Sequence, residues 1–478
     1  MDRRNFLKKS AATSGMTALG GGLSLFSMTD ANAATEDYKC LVYVFLNGGN
    51  DGFNCFVPLD EFIYKTYSKA RGPMAIKRSA SDTGNDNGYL LPLDGSEHLG
   101  MHPAMAPLKE FWTDRSMAVI ANVGPLVRPI VKAEYSALVQ AGDPKQIPSQ
   151  LFDHFGQQNC WHNAMGDPKI QAGWGAAALE EAGQGSSYSL TGSKRWGQSQ
   201  LIQQVRLSFR ALKYNEDALV PPVVKRPSFA TMINTLVSSA NASSSEIIKA
   251  WGGQEKSLID VNKIIGPLLE KPPVAEIAAG FADAANVEFV QQMKRAAIII
   301  SARAQLGGVR DIICVGAGDY DTHASQIDRH PILLKDMSQA VAGFTKTMRL
   351  MGLSEKVTCM SASDFGRTLQ PNSSDGTDHA WGSCHFVVGG AVKGQKTYGK
   401  WPDYTLGGPD DKGVGTDAKG STIPTTSVNQ YAATVLKWFL PQINLVQTLP
   451  DLVNFSVKDL GFMKRKTSSL AAMMLLLD

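Results

Sequence analysis

Three short apolar runs, far apart in the chain, each open into a loop that carries aspartate, and this recurrence restricts the fold more than any other feature. Leu41-Val42-Tyr43-Val44-Phe45-Leu46 leads into Asn47-Gly48-Gly49-Asn50-Asp51-Gly52. Ile312-Ile313-Cys314-Val315 leads into Gly318-Asp319-Tyr320-Asp321-Thr322-His323, and Val357-Thr358-Cys359-Met360 into Ser363-Asp364-Phe365-Gly366-Arg367-Thr368. Runs of this kind read as buried strands, and open α/β sheets place ligand sites beyond the carboxyl ends of their strands. A single aspartate in such a loop is ordinarily a turn former or a helix cap. Three delivered to one edge of one sheet point to a site, and a fourth polar cluster, Asp375-Gly376-Thr377-Asp378-His379, follows the last of them.

The spacing predicts an α/β protein, a three-layer doubly wound sandwich with a mainly parallel sheet. Helical patterns over Val287 to Leu306 and Leu333 to Leu350 have crossover length between parallel strands. Ala104 to Trp112 has helical spacing, and Met117-Ala118-Val119-Ile120-Ala121 reads as a further strand. Residues from about 125 to 200 are loop-rich. The polar helical texture of about 200–285, broken at Pro221-Pro222 and Pro272-Pro273, reads as a helical insertion in a domain spanning 34–465. The Gly/Pro/Asp-rich segment 399–426 is a long loop of the kind that often carries function, and Thr426 or Ser427 can cap the helix after it.

Arg3-Arg4-Asn5-Phe6-Leu7-Lys8, a mildly apolar stretch and Ala31-Asn32-Ala33 read as a twin-arginine (Tat) signal peptide over 1–33. A periplasmic or secreted protein that engages the Tat export machinery is expected. The formal charge of +3 falls to +1 once Arg3, Arg4, Lys8 and Lys9 leave with Asp2 and Asp30, so nothing favours nucleic acid or anionic membrane as a partner. No stretch approaches the length of a membrane span; the apolar end of the 466–478 tail is too short. The six cysteines form no CxxC pair. Cys40, Cys314 and Cys359 read as buried strand residues, and two of Cys55, Cys160 and Cys384 have the chance to pair in an oxidising compartment.

Asp319 and His323, with His379, offer a carboxylate and two imidazoles, a donor set that suits zinc or manganese. Asp51 and Asp364, from neighbouring strand ends, are candidates to hold a second ion, and two such ions can clamp the oxygens of a phosphoryl-type displacement. Calcium and magnesium are the further cofactor candidates. Arg367, three residues past Asp364, is a candidate bidentate anchor for a tetrahedral anion. The competing reading of the same residues is a hydrogen-bonded Asp-His tie between loops. HExxH, GxSxG and Walker motifs are missing from the sequence, and Gly316-Ala317-Gly318 lacks the third glycine of a dinucleotide loop.

Taken with Gly100-Met101-His102-Pro103, Gly376-Thr377-Asp378-His379 and Ile423-Pro424-Thr425-Thr426-Ser427, these motifs resemble the bacterial domain-of-unknown-function 1501 (DUF1501) family over nearly the whole mature chain. That family is grouped with the alkaline-phosphatase-like superfamily of sulfatases and phosphatases. The resemblance implies an alkaline-phosphatase-like fold, with Asp51 and Asp364 in one metal group and Asp319, His323 and His379 in the other; Asp378 joins the candidate ligands beside His379. Relatives often carry Ser-His where this chain has Asp153-His154, which makes Asp153, His154 and the nearby hydroxyl of Ser149 candidate catalytic residues. Phe365 stands where that superfamily often has His, and no Cys-x-Pro-x-Arg sulfatase motif is present. The resemblance thus implies an exported metal-dependent hydrolase of phosphate or sulfate esters, small or polymeric, that attacks with metal-bound hydroxide if no side chain does. The alternative is a non-catalytic periplasmic binding or assembly protein, partnered with a second exported protein encoded nearby.

Overall fold

The computed structural model describes residues 37–465 apart from 96, 193, 208–226 and 271–272. The expected signal peptide 1–33 and the tail 466–478 lie outside the described residues. A nine-stranded sheet runs through the molecule. Its strands in chain order are β1 (Lys39–Leu46), β2 (Met117–Gly124), β3 (Ser186–Ser189), β4 (Gln204–Arg206), β5 (Arg310–Ala317), β6 (Val357–Ser363), β7 (Ser383–Val388), β8 (Lys396–Gly399) and β9 (Thr426–Ser427). The spatial order is β8-β2-β7-β6-β1-β5-β3-β4, with β9 on β2. Only β7 runs antiparallel to its neighbours, as the expected mainly parallel sheet requires.

β1 shows why the sheet is covered on both faces. Cys40, Val42, Val44 and Leu46 enter one apolar cluster, and Leu41, Tyr43 and Phe45 enter another, the alternation that a period of two produces. Each such aliphatic or aromatic residue stabilises the fold by roughly 1.5–3 kcal/mol relative to exposure. Helices α4 (Glu288–Ser301) and α5 (Gln326–Leu350) cover the first face. α2 (His154–Asn163), α3 (Trp174–Ala182) and α6 (Val428–Phe439) cover the second. A further helix, α1 (Glu61–Arg71), follows β1 and ends in a fully buried arginine.

Register sets the site. β1 is the parallel neighbour of both β5 and β6, with Leu46 level with Ala317 on one side and Ser363 on the other. The loops after these three strands therefore leave the sheet together. Two close approaches hold them there. Gly48, at φ +115°, has room for no side chain, since a Cβ would stand 2.4 Å from the Asp321 nitrogen. One on Gly376 would stand 2.2 Å from the His323 carbonyl carbon.

Smaller expectations turn out differently. Residues 103–108 form a 3-10 turn before the short helix Lys109–Thr113, because Pro107 has no N–H to donate. His102 is the cap of that turn, accepting from the Ala104 amide at 3.0 Å. All six cysteines are free and buried, so Cys55, Cys160 and Cys384 do not pair. Ser427 does cap α6, accepting from the Asn429 amide at 3.1 Å. Within 200–285 the described residues include the helices Pro227–Asn241, Glu246–Glu270 and Ala275–Gly280. Among the described residues no helix is long and apolar enough to cross a membrane.

Candidate metal centre

Three imidazoles converge on the carboxylate of Asp321. Nε2 of His323 and of His379 lie 3.1 and 3.3 Å from its Oδ1, and Nε2 of His154 lies 3.4 Å from its Oδ2. The two nitrogens of His323 and His379 are 2.9 Å apart. Each ring is fixed from behind through Nδ1: His154 by Asp364 Oδ2 at 2.6 Å, His323 by Asp378 Oδ1 at 3.3 Å, and His379 by the Phe152 carbonyl at 2.7 Å. Metal-ligating histidines are oriented in this way, with the far nitrogen on a carboxylate or carbonyl and the near one on the ion.

A carbonyl only accepts, so His379 carries its proton on Nδ1. Burial, aided by the charges of Arg367 and His154, holds its pKa below the usual histidine value, which leaves Nε2 as a bare lone pair. His154 is shifted the other way, because its hydrogen bond to Asp364 outweighs its burial. Burial alone would raise Asp321, but the hydrogen bond and charge of Arg367, with His323 and His154, hold it below its ordinary range and keep it ionised. Asp378 is likewise lowered, its burial outweighed by hydrogen bonds from Asn372 and His323.

The bare Nε2 of His379, beside an ionised carboxylate, fits a divalent ion better than it fits the facing Nε2 of His323, since two facing nitrogens can share at most one proton. The donor atoms of His154, Asp321 and His379 all lie within 4.8 Å of one another, close enough for one ion to gather. Asp364 Oδ1, at the back of His154 and away from the cluster, is buried without a protein partner.

Local folding accounts for each position. Asp321 and His323 lie in the loop between β5 and α5, bracketed by Asp319 and Ser325, both at left-handed φ. His379 comes from the loop after β6, which doubles back so that Arg367 and His379 form an isolated antiparallel bridge. His154 opens α2. Phe365 forms an apolar wall against two of the imidazoles, its ring centroid 4.8 Å from that of His154 and 4.4 Å from that of His379.

Several sequence-derived candidates stand elsewhere or do other work. Asp319 is exposed and outside the cluster; the carboxylate that meets the imidazoles is Asp321, two residues on. Residues two apart share a side in an extended stretch, and pairing His323 with Asp321 on that ground was the available signal. Arg367 is fully buried, its Nε, Nη1 and Nη2 donating to the carbonyls of Gly48, Gly49, Tyr320 and Thr377 and to Asp321, so the guanidinium is committed to tying the loops together. Asp153 caps α2, accepting from the Gly156 amide at 2.7 Å. The Ser149 hydroxyl bonds to the Gly166 carbonyl at 3.4 Å.

Asp51 is buried in an ion pair with Arg71, and Asp364 reaches the cluster through His154. Sequence reasoning misses Arg71, Gln158 and Gln326. The long loop 399–426 supplies no ligand atom. It is tied by Asp411, which accepts from the amides of Gly407, Gly413 and Gly420, each at 2.9 Å.

Comparison with known proteins adds to this picture. No curated protein matches the chain. Among solved structures, that of Ps i-CgsB in complex with k-i-k-neocarrahexaose is similar at a TM-score of 0.34 and 8% identity, over 86% of this chain and 74% of that one. The PsFucS1 sulfatase from Pseudoalteromonas sp. is similar at a TM-score of 0.34 and 11% identity, over 92% of this chain and 75% of that one. Residues 275–413 match the family model described as "Protein of unknown function (DUF1501)". That span contains Asp321, His323, Asp364, Arg367, Asp378 and His379, while Asp51 and His154 fall before it. The family whose model matches residues 275–413 is the one that the motifs of this chain resemble.

Proposed function

We propose that this protein is an exported metal-dependent hydrolase of phosphate or sulfate esters. The observation that carries the reading is the convergence of three imidazoles, each anchored through Nδ1, on the one carboxylate of Asp321. His154, Asp321, His323 and His379 would hold one divalent ion, with zinc or manganese best suited to the donors. When bound, such an ion polarises an ester oxygen and lowers the pKa of water. The chain's own part is to keep Asp321 ionised and the rings pre-oriented, so that little reorganisation is needed.

Among the described residues no serine, threonine or cysteine side chain hydrogen-bonds to Asp321 or to the three imidazoles. The hydroxyls nearest in sequence, on Thr322 and Thr377, bond instead to Gln326. That supports water as the nucleophile rather than a covalent intermediate. The N-terminal twin-arginine pattern supports export.

One observation favours the second reading, a non-catalytic binding or assembly protein: the guanidinium expected to anchor an anion, that of Arg367, is consumed internally. Purified protein reconstituted with zinc or manganese, assayed on p-nitrophenyl phosphate, p-nitrophenyl sulfate and bis-p-nitrophenyl phosphate, separates the two. Metal-dependent turnover that Asp321→Asn abolishes is expected. A bound ion with no turnover on any of the three favours the binding protein.

A further inference from the structure

Asp51 and Asp364 are the carboxylates from which a second ion is expected, and their surroundings do not fit one. We infer that this protein binds a single divalent ion, and that the guanidinium of Arg71 supplies at Asp51 the positive charge a second ion would bring. The inference rests on the metal-centre reading of the Asp321 cluster and adds the number of ions and the identity of the fixed cation.

Arg71 closes helix α1 with its side chain wholly buried, and its Nη2 stands 2.5 Å from Asp51 Oδ1, itself fully buried. Nη1 of the same group donates to the Thr368 carbonyl at 3.1 Å, on the loop that carries His379. The other oxygen of Asp51 accepts from Gln326 Nε2 at 2.6 Å. Each oxygen of Asp51 therefore already accepts from a buried protein donor, one of them cationic.

Asp364 is turned away in its own direction, its Oδ2 taking His154 at 2.6 Å and Gln158 at 3.0 Å. Its Oδ1 alone is left over, and one oxygen is short of the three protein donors a catalytic ion ordinarily has. Among the described residues, moreover, only the His154, Asp321 and His379 group offers three such donors together.

A buried carboxylate needs a compensating charge, and removing it costs several kcal/mol. An arginine meets that need permanently, because it does not deprotonate and does not leave with a chelator. Gln326 then carries the constraint to the ligands. Its Oε1 accepts from Thr322, which sits between Asp321 and His323, at 2.8 Å, and from Thr377, which precedes Asp378 and His379, at 2.5 Å. The Asp51–Arg71 pair is thus the fixed post to which both ligand loops are tied.

The test is a metal count on the purified full chain after dialysis against excess zinc and, separately, excess manganese. One ion per chain is expected. Two ions overturn the inference while leaving the metal centre standing, whereas none removes the metal reading and the inference with it. The double substitution Asp51→Asn with Arg71→Met replaces the ion pair by neutral groups and keeps an acceptor for Gln326. It is expected to bind one ion still, with affinity within about tenfold of the wild type, the lower edge of what losing an outer-shell partner costs. Loss of the ion from a variant that melts cooperatively would make Asp51 a ligand and overturn the assignment. Should the variant not fold, the wild-type count decides alone.

Discussion

Nδ1 of His154 lies 2.6 Å from Oδ2 of Asp364, a residue 210 positions later in the chain. The contact joins the first residue of a helix to the end of a strand and aims the opposite ring nitrogen at Asp321. Replacing Asp364 by Asn keeps an acceptor of the same shape but removes the charge. Zinc affinity, measured by competition with a chromophoric chelator, is expected to fall by about tenfold or more, with the ion still bound at saturation. Unchanged affinity would mean that His154 is not a ligand.

Asp319 and Asp321 separate cleanly in the same assay. Asp321→Asn and His379→Ala are expected to abolish stoichiometric zinc, because each removes a donor atom from the cluster. Asp319→Asn alters an exposed side chain and should leave the zinc ratio as in the wild type. Should Asp319 prove essential and Asp321 dispensable, the centre has been assigned to the wrong carboxylate.

The loop junctions predict their own mutational pattern. Gly48→Ala and Gly376→Ala would push a methyl group into backbone atoms of the two ligand-bearing residues. Strain of this kind costs about 1–3 kcal/mol, so lower melting temperatures and weaker zinc binding are expected together. Gly318, where an added Cβ would meet no atom within 4 Å, provides the control, and its replacement by Ala should change neither quantity.

Asp311, at the amino end of β5, gives a dependence on pH unconnected with the metal. Burial pushes its pKa up to about 7, against the lowering effect of Tyr38 and the Ser186 amide, and its Oδ2 has no partner. The folded state thus keeps a proton that the unfolded chain gives up near its ordinary value of about 3.9. Stability from this group is full below pH ~4, falls as pH rises towards ~7 and then levels off. At 1.36 kcal/mol per unit the loss is at most about 4 kcal/mol. Asp311→Asn should flatten this dependence and raise the urea midpoint at pH 8 relative to pH 5; an unchanged pH profile would show the carboxyl to be ordinary.

The frame was readable because β1, β5 and β6 are apolar on both faces, as strands covered by two helical layers must be. Loop geometry was less accessible. Asp319 and Asp321 are chemically identical, and the left-handed φ of Asp319 that sets the loop's path is not written in the local sequence. Arg71 lies at the end of an amphipathic helix, where a basic residue normally complements the helix dipole in solvent; only the fold brings it to Asp51. Arg367 was visible as a site residue but not as one wholly buried against carbonyls of the loops. His154 emerged through the family resemblance, since nothing in its own neighbourhood distinguishes a ligand from a helix-start histidine.

The turn at Phe152 carries a consequence for how the centre assembles. Phe152, at φ +68°, presents the carbonyl that anchors His379, and two residues later the same turn supplies His154. A donor and the anchor of another donor, contributed by a residue 227 positions away, therefore ride on one short piece of backbone. Whatever lifts that turn disarms both rings in a single movement. The arrangement leaves little room for a half-formed state, and an ion held by both rings would latch that turn in place.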